Sequence, residues 1–220
     1  MGKARNVTRK IQIEVFLLKK YLKVDLFLDR KDQIFQRKQG VYQLRNDALT
    51  DKLNRVVVNQ DFAQTEFGKP FLIDYPHFSF NHSHSQNYYA LATSNSVRNI
   101  GVDIEDLDRK VRFEALAKHA FHPNEYRTWE SLEFDPIYWF KVWTTKEAVL
   151  KASGLGIRMS LNELDTQAHA TDHGGICQHP LIGVFAYQNY ELSHSMLAVA
   201  WQSEYSCKGF AFPQIEIIQH

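Results

Sequence analysis

Asp103 and Glu105 stand two residues apart in Ile100-Gly101-Val102-Asp103-Ile104-Glu105. In a strand, residues two apart share a face, so the two carboxylates project together about 6–7 Å apart along the backbone, while Val102 and Ile104 turn the other way into a core. Two such charges at ~4 Å and an effective dielectric near 20 repel by about 4 kcal/mol. A cation between them, a proton on one of them, or intervening solvent can relieve that repulsion. The plainer reading is an acidic strand end, since Asp106 and Asp108 follow. A second group lies at Trp143-Thr144-Thr145-Lys146-Glu147-Ala148-Val149-Leu150-Lys151. At helical spacing, Trp143, Glu147 and Lys151 share one face. Glu147 and Lys151 then form either an ordinary surface ion pair or, because Trp139, Phe140, Val149 and Leu150 make this helix apolar over much of its girth, a charged site that burial obliges to find partners.

These residues need a strand and a helix to hold them. Ile11, Ile13, Val15 and Leu17 alternate as a strand does, and Val24, Leu26 and Leu28 do so more weakly. Residues 41–58 carry an apolar helical stripe. Gly68-Lys69-Pro70 punctuates the chain, and a Ser/His/Asn loop follows over Ser79–Ser85. Strands follow at Tyr88–Thr93 and Val97–Glu105, then a helix from Phe113 that His122-Pro123 breaks, with Asn124 capping the next. Asp135-Pro136 opens a further helix that runs to Ser153 and stops at Gly154. The remainder, 157–220, reads as strands with a loop near 169–180. Ser83-His84-Ser85 and Ser193-His194-Ser195, 110 residues apart, each precede an apolar stretch, as chance repetition or as the trace of two related α+β halves.

The chain has 220 residues with 26 Lys+Arg against 25 Asp+Glu. That balance gives no global field for nucleic acid, and no stretch approaches the ~20 apolar residues of a membrane span. Glu14 and Lys19-Lys20 interrupt the N-terminal apolar run, which argues against a signal peptide. Cys177 and Cys207 are expected as free thiols of a soluble, cytoplasmic protein. His169, His173, Cys177 and His179 match no established zinc spacing. Arg109, Lys110, Arg112, Lys118 and Arg127 form either a solvated basic face or a docking patch for an acidic partner.

Taken together, Gly-x-Asp-x-Glu followed some forty residues later by Trp-Thr-x-Lys-Glu-x-x-x-Lys resembles the 4′-phosphopantetheinyl transferases, in particular their long, pseudo-dimeric (Sfp-type) subfamily. Gly68-Lys69-Pro70 and Phe80-Asn81-His82-Ser83-His84-Ser85 look like further elements of that subfamily in the expected order. The resemblance is close over 66–157. It implies an α+β fold of two similar halves, 1–98 and 99–220, with the site in the cleft between them. By position it implies that Asp103, Glu105 and Glu147 hold Mg²⁺, with Mn²⁺ as an alternative, a set that also suits a hard cation on chemical grounds. Glu147 and Lys151 would be catalytic. Lys69, Ser83 and His84 would bind the 3′-phosphate of coenzyme A, with Lys146 at the rim and Arg45 as a further phosphate contact. The partner would be an acyl or peptidyl carrier protein, and the enzyme a monomer. Alternatives are a Mg²⁺-dependent hydrolase of nucleotide pyrophosphates and a non-catalytic module that binds carrier proteins.

Overall fold

The computed structural model describes residues 9–25, 27–203 and 212–220. In chain order the elements are β1 (Lys10–Leu17), the single turn α1 (Leu18–Tyr21), α2 (Arg30–Leu53), β2 (Phe62–Gln64), β3 (Pro70–Leu72), β4 (Ser79–His84), β5 (Tyr88–Ser94) and β6 (Ile100–Asp106). There follow α3 (Phe113–Ala120), α4 (Pro123–Ser131), α5 (Pro136–Ser153), β7 (Gly174–His179), β8 (Gly183–Leu192), β9 (Ser195–Gln202) and β10 (Gln214–Gln219). The protein is a mixed α+β fold with two four-stranded sheets, ordered β10-β1-β5-β4 and β6-β9-β8-β7, plus a β2-β3 ribbon.

Alternation along the strands explains the layering. Ile11, Ile13 and Val15 of β1, with Ala90 and Ala92 of β5, face Val102, Ile104, Leu197 and Val199 of the other sheet in one shared core. The opposite face of the first sheet presents Phe80, Tyr89 and Leu91 to Val41, Leu44 and Leu49 of α2. The opposite face of the second presents Ala198 and Ala200 to Ala148, Val149 and Ala152 of α5. Gly101 lies on that face, and its missing side chain permits the approach: a Cβ there would sit 2.1 Å from the Ala148 carbonyl oxygen and 2.4 Å from the Ala152 nitrogen. α5 starts where the sequence signals it, with the Asp135 carboxylate accepting from the Ile137 and Tyr138 N–H groups, and ends at Gly154 with φ 76°. β10 returns to pair in parallel with β1, so residues near 214–219 complete the sheet built by the first strand.

Several expectations need correction. The helix placed at 41–58 is α2, which begins at Arg30 behind the Asp29 cap and ends at Leu53; its first turns are largely charged or polar, with only Ile34 and Phe35 apolar and both exposed, so they carry no apolar stripe to read. Val24 and Leu28 lie in irregular chain, and Leu26 is outside the described residues. Ser79–His84 is a strand rather than a loop because it pairs fully with β5. β6 starts at Ile100, after Asn99 turns with φ 51°. The cap of α4 is His122, whose ring accepts from the Asn124 N–H, with Pro123 in the first helical position. The loop expected at 169–180 contains β7, whose two glycines lie against β8 rather than in a free loop. Cys177 is a buried free thiol, pushed up to about 12 by burial; Cys207 lies outside the described residues. Among the described residues, no helix is long and apolar enough to cross a membrane.

Candidate active site

β6 and α5 meet at Gly101, and two residues further along β6 Asp103 lies on the α5 side of the strand. Asp103 is 4% exposed. Its Oδ1 accepts from Lys151 Nζ at 2.6 Å and from Ser83 Oγ at 2.8 Å, and Lys151 also donates to Ser83 Oγ at 2.8 Å and to the Val102 carbonyl at 3.3 Å. One strand from each sheet and one helix thus converge on a single carboxylate. Its Oδ2 is buried without a hydrogen-bond partner. Glu105 accepts from Arg109 at 2.7 Å and from the Trp143 indole at 3.2 Å. Glu147, one helical turn before Lys151, has no hydrogen bond or ion pair among the described residues. Burial, then the charge of Asp103, pushes both Glu105 and Glu147 above the ordinary carboxylate range.

Beside these groups opens a cavity of about 530 Å³. Lys69, Asn81 and His82 line it from the N-terminal part of the chain, and Trp143, Glu147 and Lys151 from α5. Lys69 donates to the carbonyls of Ile100 at 3.2 Å and Ala152 at 2.8 Å, which ties the Gly-Lys-Pro segment to β6 and to the end of α5. Two of its three hydrogens are occupied and one remains. Burial lowers its pKa to about 8. His84, at the end of β4, is exposed; desolvation, then the nearby Arg37, holds its pKa below the ordinary imidazole value. The turn that follows is built around Asp106, which accepts from Ser85 Oγ at 2.8 Å and from the Gln86 and Asn87 N–H groups at 3.0 and 3.2 Å. Arg37 of α2 holds its other side through the Ser85 and Gln86 carbonyls.

The structure therefore brings Lys69, Ser83, Asp103, Glu105, Glu147 and Lys151 together, with His84 on the flanking strand end. It does not bring Lys146 or Arg45 to the cavity. Lys146 was expected at the rim as a coenzyme contact. It is instead fully buried on another face of α5, paired with Glu125 at 2.7 Å, because one residue along a helix rotates the side chain by about 100°. Arg45 is buried behind β2, bonded to Asn46 and Asn59, with its guanidinium 3.7 Å from the Phe62 ring centroid. Sequence reasoning missed Trp143 as a partner of Glu105, Asp106 as the anchor of the β4–β5 turn, and Asn81, whose Oδ1 accepts from the Val102 N–H at 2.9 Å. Asp106 was visible only as one more acid, and nothing in the spacing singles it out. Of the basic cluster, Arg109, Lys118 and Arg127 bond to Glu105, Glu114 and Asn124.

Residues 99–207, which carry β6, α5 and with them Asp103, Glu105 and Glu147, match the 4′-phosphopantetheinyl transferase superfamily. Over those residues the chain is similar to that superfamily. It is 36% identical over 146 residues to the 4′-phosphopantetheinyl transferase HetI of Nostoc sp. (strain PCC 7120), covering 63% of this chain and 61% of that one. It is 35% identical over 138 residues to the 4′-phosphopantetheinyl transferase psf-1 of Bacillus pumilus, covering 58% of each. To the 4′-phosphopantetheinyl transferase Sfp of Bacillus subtilis (strain 168) it is 31% identical over 110 residues, 49% of this chain and 47% of that one. The match spans about half to three-fifths of the length of these relatives.

Whether the acids suit a divalent ion is a question of donors and charge. All three are hard oxygen donors, as Mg²⁺ prefers. The unpartnered Asp103 Oδ2 and the raised Glu105 and Glu147 describe carboxylates whose mutual repulsion a cation would relieve. The residues fit such an ion in kind. Among the described residues no three His, Cys, Asp or Glu side chains are gathered as ligands around one point, which applies equally to the His169–His179 stretch.

Proposed function

We propose that this protein transfers the 4′-phosphopantetheine arm of coenzyme A to a serine of an acyl or peptidyl carrier protein, releasing adenosine 3′,5′-bisphosphate. The observation that carries the reading is the placement of Glu147 and Lys151, one turn apart on α5, on the cavity that also receives Lys69 from the N-terminal part of the chain. Asp103, Glu105 and Glu147 would hold Mg²⁺. When bound, that ion supplies positive charge for the diphosphate of coenzyme A.

The chain's own residues do the rest. Lys69 and His84 bind the 3′-phosphate, Lys69 through its remaining ammonium hydrogen and His84 through a ring N–H, and the Asp106-anchored turn fixes His84 in place. Lys151, held by Asp103 and Ser83, meets charge on the diphosphate. Glu147 takes the proton of the carrier serine hydroxyl, directly or through a water. The serine oxygen bonds to the β-phosphorus, and the bond from that phosphorus to the bridging oxygen breaks. The electron pair leaves on the bisphosphate. The site lies between two related halves, expected at 1–98 and 99–220, with the last strand β10 crossing back to the first, in a monomeric, soluble, cytoplasmic enzyme. The repeated Ser-His-Ser and the two four-stranded sheets support that arrangement.

Incubation with coenzyme A labelled in the pantetheine arm tests the reading against its rivals. Label should appear on the carrier protein, only when that protein is present, and Glu147→Ala should lower the rate by about 100- to 10,000-fold with an unchanged circular dichroism spectrum. Label released as free phosphopantetheine without carrier would favour a hydrolase, and no turnover at all would favour a binding module.

A further inference from the structure

Between α5 and β7, residues 159–172 carry little regular structure beyond a 3₁₀ turn at Leu161–Glu163. Two lysines of α5 fasten them. Lys146 donates to the Leu161 carbonyl at 2.8 Å, to the Leu164 carbonyl and to Glu125 at 2.7 Å, which uses all three of its hydrogens. Glu125 in turn accepts from the backbone N–H of Thr166 at 2.8 Å, from its hydroxyl, and from the His122 N–H at 2.7 Å. Lys141 donates to the carbonyls of His169, Ala170 and Asp172 at 3.2, 2.8 and 3.1 Å. The two clamps differ in what they hold. The stretch under Lys146 contributes Met159 and Leu161 to the cavity wall, whereas the stretch under Lys141 lies outside that cavity.

Well-packed apolar residues often replace a buried ion pair at no cost in stability, while removal of one partner alone strands a charge and is expensive. An ion pair whose two remaining donors end on backbone carbonyls does something packing cannot: it fixes where those carbonyls sit. We propose that Lys146, with Glu125 as its counter-ion, is a positioning residue that sets the Met159–Leu161 wall against which the pantetheine arm of coenzyme A packs. The assignment rests on the transferase reading above. Lys146 touches no substrate; it acts through the wall.

The test compares wild type with Lys146→Met, the double variant Lys146→Met/Glu125→Met, Lys141→Met and Leu161→Ala. The readouts are thermal stability, calorimetric affinity for coenzyme A, kcat, and hydrogen exchange over 159–166. Lys146→Met should lose stability, and the double variant should recover much of it because no charge is left unpaired. Affinity for coenzyme A should nevertheless stay weakened about 10-fold or more in the double variant, with faster exchange over 159–166, and Leu161→Ala should weaken it as well. Lys141→Met should lower stability without changing that affinity. Wild-type affinity in the double variant would overturn the proposal, and so would equal weakening by Lys141→Met. If neither Lys146 variant folds, wild-type affinity in Leu161→Ala overturns it. Loss of transfer to carrier protein in the wild type itself would defeat the functional reading, whereas the calorimetry reads the wall independently.

Discussion

Lys69 shows how one side chain can serve the fold and the site at once. Its ammonium ties β6 to the last turn of α5 through two carbonyls, and burial lowers its pKa to about 8 from 10.5. Between those values the unfolded chain binds more protons than the folded one, so folding stability rises with pH across that window. Below about pH 8 both states are protonated and the cost of burying the charge is fully present. Wild type should therefore gain stability relative to Lys69→Met from about pH 8 to 10.5, as denaturant titration at several pH values would show. Affinity for coenzyme A should fall over the onset of the same window as the ammonium loses its charge. A flat difference between the two proteins would contradict this account of Lys69. Strand and helix spacing made the Asp103/Glu105 and Glu147/Lys151 pairs legible, whereas Lys69, Ser83 and the grouping of the three acids were expected only through the resemblance to the family's motifs. The sequence could not show that Lys146 and Arg45 turn inward, since that depends on which face of a helix packs against what.

At the scale of elements, the approach of β6 to α5 is the critical contact. Gly101→Ala would drive a Cβ into backbone at both Ala148 and Ala152, and neither atom can move without displacing the helix that carries Glu147 and Lys151. The expected result is destabilisation at or beyond the upper end of about 1–3 kcal/mol together with loss of transfer. Near-wild-type melting and activity would refute the contact. Helix α5 was readable almost to the residue because its Asp-Pro start and glycine stop are local chemistry. β4 and β7 were not. Their residues are mostly polar or glycine, with no apolar alternation to read, and pairing with the neighbouring β5 and β8 decides their structure.

For the whole molecule, the question is what joins the two sheets on the side of the site. The apolar core between them is general, but Asp106 makes a specific tie, reaching from β6 into the turn after β4 with three accepted hydrogen bonds and 3% exposure. Asp106→Ala strands two backbone N–H groups and a hydroxyl. It should cost on the order of 3 kcal/mol in urea unfolding and weaken coenzyme A binding through the displaced His84. Sequence alone gave an α+β chain and its two halves as an expectation. The return of β10 to β1 was invisible, because a parallel pairing across some 200 positions leaves no local mark.

The account turns on Asp103, Glu105 and Glu147 acting together on a cation beside a diphosphate. Titration of Mn²⁺ by electron paramagnetic resonance, with coenzyme A present, tests this most directly. Wild type should take up one ion per chain, and both Asp103→Asn and Glu147→Gln should abolish that uptake while leaving the fold intact. Equal uptake by wild type and both variants would contradict the account.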